Sequence, residues 1–135
     1  MALKRVLAAA FALALVGCGD GGDEGQVVQR AEAGGKRIVL GTTTGRLTNG
    51  QNAIILTFKD ASGQPTVVQD PAVRFTMPAE PNMAEMNADA KLEPAGPPGS
   101  YHGTVNLGMK GPWQTVVSFK DATGAHRAAF TIQAE

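Results

Sequence analysis

Cysteine is nearly absent: the 135-residue chain contains one, Cys18. A single thiol cannot close an intramolecular disulfide, so a disulfide-stapled scaffold is excluded. Histidine is almost as scarce, with only His102 and His126, and no Gly-x-Ser-x-Gly stretch occurs. No nucleophile and base are recognisable, because Ser100 and His102 do not form a catalytic arrangement by adjacency alone, and an enzyme is not expected. Two histidines also fall short of the closely spaced set a zinc site uses. Neither charge sign dominates, since 12 Lys and Arg balance 12 Asp and Glu, so nothing marks a nucleic-acid surface. Helical periodicity is not sustained anywhere, and the one long apolar run is too short to cross a membrane comfortably.

That run opens the chain. Lys4 and Arg5 precede an apolar stretch from Val6 to Val16, and Leu15-Val16-Gly17-Cys18 follows directly. The arrangement resembles a bacterial lipoprotein signal peptide with its lipobox, in which cleavage falls before the cysteine and that residue is acylated. Residues 1–17 are therefore expected to be the signal peptide, and Cys18 the lipidation site. Without Lys4 and Arg5, ten basic residues face twelve acidic ones, so the membrane anchor would be the acyl chains rather than electrostatic attraction. Gly19, not aspartate, follows the cysteine, which leans toward the outer membrane, with the domain in the cell envelope on the periplasmic side. Residues 19–35 combine glycine with acidic and amide side chains and read as a flexible linker. Asp20, Asp23 and Glu24 lack the spacing of a calcium loop.

From Lys36 to the C-terminus the pattern changes to short runs of valine, isoleucine, threonine and phenylalanine, punctuated by glycine, proline and asparagine. This is the signature of an all-β domain, 36–135, and the number and spacing of about seven strands suggest an antiparallel β-sandwich. The expected strands are 37–47, 53–59, 72–77, 88–93, 101–109, 113–120 and 125–133. One octapeptide is echoed: Leu56-Thr-Phe-Lys-Asp-Ala-Ser-Gly63 and Val117-Ser-Phe-Lys-Asp-Ala-Thr-Gly124. Each reads as a strand entering a turn, with aspartate bonding the backbone ahead and glycine taking a left-handed conformation.

What the chain has in one place is methionine. Met77, Met83, Met86 and Met109 are all of them except the initiator, and His102, Tyr101 and Trp113 lie in the same segment. Thioethers are soft ligands, suited to Cu(I), but methionine is also a filler of irregular cores. Strand alternation puts Met77 with Val73 and Phe75, and Met109 with Val105 and Leu107, on core-facing positions. Met83 and Met86 differ, since Pro78 and Pro81 make their surroundings a loop with no evident core to enter. Glu80, Glu85, Asp89 and Glu93 read as a solvated rim. A tryptophan such as Trp113 in a sandwich belongs to the core more often than to a site.

The ordered set Gly50-x-Asn52, Lys59-Asp60-x-x-Gly63, Met77-Pro78 with Met83 and Met86, Leu92-x-Pro94, Gly99-x-Tyr101 and Met109-x-Gly111-x-Trp113 resembles the YtkA-like domain family. The resemblance implies an immunoglobulin-like β-sandwich in an extracytoplasmic setting, on a lipoprotein or beside a heavy-metal efflux component or other envelope partner.

Whether the methionines meet depends on one strand. If the segment 88–93 runs the length of the fold, the loop 78–87 and the turn 109–112 share an end, and four methionines converge beside Trp113. Otherwise His102 approaches Met83 and Met86 while Met109 departs. Two functions stay open: a lipid-anchored module holding Cu(I) with Met83, Met86 and Met109, joined by Met77 or His102, or a non-catalytic envelope interaction module with no ligand of its own.

Overall fold

Alternation of apolar and polar side chains decides which face of each strand turns inward. In Gly111–Asp121, Trp113, Thr115, Val117 and Phe119 are buried while Gln114 and Lys120 are exposed; in Gly50–Lys59 the buried set includes Asn52, Ile54, Leu56 and Phe58. A computed structural model describes residues 25–135. It contains eight strands: β1 Gln26–Ala33, β2 Lys36–Thr42, β3 Gly50–Lys59, β4 Gln69–Met77, β5 Met86–Pro94, β6 Ser100–Leu107, β7 Gly111–Asp121 and β8 Gly124–Ala134. The fold is all-β and antiparallel throughout, in the order β1-β2-β3-β6-β5-β4-β7-β8.

All seven expected strands are present, and β1 is the addition. It lies within residues 19–35, which read as linker, so the ordered sheet begins ten residues before Lys36. The reason is tertiary: Val28, Ala31 and Ala33 are half-buried against the core, and seven register pairs tie β1 to β2, although the strand is too polar to stand out alone. The expected signal peptide at 1–17, the expected lipidation site Cys18 and residues 19–24 lie outside the described residues.

β5 gives the fold its shape. Its first half, Met86 to Ala90, pairs with β4, and its second half, Lys91 to Pro94, pairs with β6. Where a simple sandwich keeps its sheets apart, this strand belongs to both layers and makes one continuous sheet. Gly103 of β6 sits at the changeover. A Cβ there would lie 2.2 Å from the Lys91 carbonyl oxygen, so only glycine permits the approach.

The core between the layers is built from aromatic contacts. Phe58 meets Phe119 edge-on at 5.0 Å and Tyr101 at 5.8 Å between ring centroids. The Tyr101 hydroxyl donates to the Val68 carbonyl at 3.0 Å, anchoring the chain that leads into β4. Asn52, also buried, uses its side chain as a brace. Its Nδ2 donates to the carbonyls of Thr48 and Gly50, while its Oδ1 accepts from the Thr48 backbone N–H. The echoed octapeptides are the turns they were expected to be. Asp60 Oδ1 accepts from Ser62 and Gln64 N–H groups, Asp121 Oδ1 accepts from Thr123, and Gly63 and Gly124 have positive φ.

Candidate metal-binding site

Because β5 runs the full length of the sheet, the β4–β5 loop and the β6–β7 turn lie at one end. Proline shapes the loop. Pro78 ends β4 by removing a ladder donor, and Pro81 occupies the first corner of a tight turn closed by reciprocal backbone bonds between Glu80 and Met83 at 2.9 and 3.0 Å. Met83 is thereby carried back over the end of the fold instead of trailing into solvent.

Beneath it, Met77 and Met86 stand opposite each other in the β4–β5 register, with Met77 buried and Met86 half-buried on the inner face. Both side chains end against the backbone of the β6–β7 turn. A Cβ on Gly108 would lie 2.7 Å from Met86 Cε, and one on Gly111 would lie 3.4 Å from Met77 Cε. Gly111 also holds φ at 123°, a conformation that favours glycine. The same turn presents Met109, and its geometry is pinned by the Trp113 indole N–H, which donates to the Met109 carbonyl at 3.0 Å. Trp113 itself is fully buried and serves the core, as expected.

These segments enclose an open cavity of about 320 Å³ lined by Met77, Pro78, Glu80, Met83, Met109, Lys110 and Pro112. Three methionines from three separate segments therefore line one space, and the methyl group of the fourth, Met86, lies against Gly108. The walls are methionine and proline, with one carboxylate and one ammonium at the rim. Thioether sulfur is a neutral, soft donor, so this wall offers little to a hard cation and more to a soft one.

His102 does not join this group. It is exposed on β6, opposite Ile55 and Glu93, and five residues before Leu107, roughly 16 Å along the strand at ~3.3 Å per residue. The arrangement mixing His102 with Met83 and Met86 is thus not the one adopted, because it required β5 to stop short. Among the described residues, no three His, Cys, Asp or Glu side chains gather as a metal-binding group. Of the glycines against the methionines, Gly111 has a sequence signal in the spacing Met109-x-Gly111-x-Trp113, whereas Gly108 has none.

The opposite end has different chemistry. Lys36 Nζ bonds Asp121 Oδ2 at 2.6 Å, and His126 Nε2 and Thr123 Oγ1 lie 3.0 and 2.6 Å from Asp121 Oδ1. The Lys36 ammonium, followed by the Thr123 hydroxyl, holds the Asp121 carboxyl far below the usual carboxylate range. His126 lies over Gly34 of the β1–β2 turn and beside Phe119, so this cluster joins β1 to β8 across the two edges of the sheet.

Comparison with known proteins adds one assignment. No curated protein and no solved structure matches the chain. The model of the YtkA-like family matches residues 30–118, from β1 through most of β7. With two thirds of its length under that match, including the strands and turns that build the methionine end, the chain belongs to the YtkA-like family.

Proposed function

We propose that this chain is a lipid-anchored extracytoplasmic domain that binds or delivers a soft metal ion, Cu(I) being the best fit, through Met83 and Met109 with Met77 or Met86 as the further ligand. The observation that carries the reading is the one cavity lined by Met77, Met83 and Met109. Cu(I) accepts two or three neutral sulfur ligands, and a +1 ion would have Glu80 at the rim. The half-buried state of Met83 and Met109 supports transfer, since a carrier needs sulfur that a partner can reach. Cys18, as the acylated residue, supplies the anchor in this reading.

A second reading is an envelope interaction module without a ligand. It is favoured by Met77, only 8% exposed and packed on Gly111, which is how a core residue behaves. Anaerobic Cu(I) titration of the soluble domain against a competing chelator separates the two. Binding that weakens in the Met83→Leu, Met109→Leu double variant supports the metal reading. Affinity unchanged by that substitution removes the site.

A further inference from the structure

The start of the described chain lies at the methionine end. Gln26 pairs with Thr42 at the close of β2, and Gly45 of the following turn abuts the Gln26 side chain. Leu47 then bridges to Ala134, Ala134 pairs with Gly111, and Gly111 carries the methyl group of Met77. The other end of β1, Ala33, pairs with Lys36, whose ammonium binds Asp121 at the opposite end of the sheet.

From this placement we infer that the methionine cavity faces the phospholipid bilayer in which an acylated Cys18 is held. The inference rests on acylation of Cys18, not on the metal. Seven residues, 19–25, separate Cys18 from Gln26. Eight steps of fully extended chain reach at most roughly 29 Å, at ~3.6 Å per residue. An inverted domain would have to lift Gln26 by the whole length of β1, eight residues or roughly 26 Å at ~3.3 Å each, before its turns are added. Inversion therefore consumes most of the contour of the connecting segment, whereas the methionine-down orientation takes less, since Gln26 stands level, through Thr42 and Ile54, with Gly103, four residues or roughly 13 Å at ~3.3 Å each from Leu107. Attraction to anionic headgroups is not needed and is not offered, since Glu80 and Glu85 outnumber Lys110 on the loop and turn at this end.

The test uses the full acylated chain in phosphatidylcholine vesicles containing a headgroup-linked nitroxide. A fluorophore is placed on the single free thiol of Asn82→Cys, at the tip of the β4–β5 loop, or of Ala122→Cys, in the turn after β7; both positions are exposed. The expected result is loss of most fluorescence at residue 82 and little loss at residue 122. Inserting a long Gly-Ser spacer after Gly19 should remove the difference. Equal quenching, stronger quenching at residue 122, a spacer without effect, or failure of the chain to associate with vesicles each overturns the inference. No metal is present in any arm, so these outcomes are independent of the Cu(I) titration.

Discussion

Met77 and Met86 face each other as the last register pair between β4 and β5, and the methyl groups of both lie against the glycines of the β6–β7 turn. A pair so placed closes the end of the sheet whatever else it does. Its members should therefore differ from Met83 in what their removal costs. Met77→Ala, at 8% exposure, should destabilise the domain by about 2–4 kcal/mol in urea unfolding. Met77→Leu, which keeps the volume, should cost less than about 1.5 kcal/mol. Met83→Ala, on a half-buried turn, should cost under about 1 kcal/mol, while weakening Cu(I) binding. A stability loss at Met83 as large as that at Met77 would mark Met83 as packing rather than ligand.

Trp113 controls Met109 through one bond. Trp113→Phe leaves the Met109 carbonyl without the indole donor and leaves a void in a fully buried position. The lost bond and void together should cost about 2–3 kcal/mol. The turn should also loosen, read as faster amide hydrogen exchange at Lys110 and Gly111 than in the parent domain. Unchanged exchange there would show that Gly111 and Pro112 set the turn without Trp113.

Two glycines with positive φ test close approach against backbone strain. Gly99, at 79°, has no room for a Cβ, which would lie 2.6 Å from the Thr66 carbonyl oxygen and 2.9 Å from that of Phe58; Gly63, at 85°, has open space. Gly63→Ala should cost about 1–2 kcal/mol from the left-handed conformation alone. Gly99→Ala should cost clearly more, because backbone atoms must shift as well. Equal losses would mean that the Thr66 segment yields freely.

Legibility of the molecule in its sequence follows physical lines. Residue alternation exposed every strand from β2 to β8, because an inward Val73-x-Phe75-x-Met77 is visible without tertiary knowledge. β1 was not visible, since Gln26 to Ala33 gains its order from β2 and β8 rather than from its own side chains. The turn chemistry of Asp60 and Asp121 was legible to the atom, being local. The methionine end was legible only as two alternatives, because its assembly depends on where β5 changes partner, and that depends on the close approach of Gly103 to Lys91.

Thr115 is completely buried on the inner face of β7, and its hydroxyl has no hydrogen-bond partner among the described residues. Its neighbours across the sheet are Phe75 and Phe130. Replacing the hydroxyl by a methyl of the same shape removes a desolvated polar group, so Thr115→Val should stabilise the domain by about 1 kcal/mol. Equilibrium unfolding in urea measures this directly, and a destabilised variant would reveal a bond to the hydroxyl in solution.

Acid should loosen the end opposite the methionines first. Asp121 is held far below its ordinary value by Lys36 and then Thr123, and Asp60 is lowered in the same direction by the Ser62 hydroxyl and the Gln64 and Ser62 backbone N–H groups. A depressed folded-state value means that the unfolded chain takes up protons first as pH falls below about 4. The contribution of each carboxylate is therefore complete above that range and declines as pH drops through it toward the folded-state value. Unfolding free energy followed from pH 6 down to pH 2 should fall, and the fall should be shallower in Asp121→Asn, which has no such proton to bind. Because the Lys36–Asp121 pair ties the start of β2, just after the Gly34-Gly35 turn, to the end of β7, proteolysis in the acid range should cut first near that turn. Parallel pH profiles for the variant and its parent would remove Asp121 from this role, and the Lys36 contact with it.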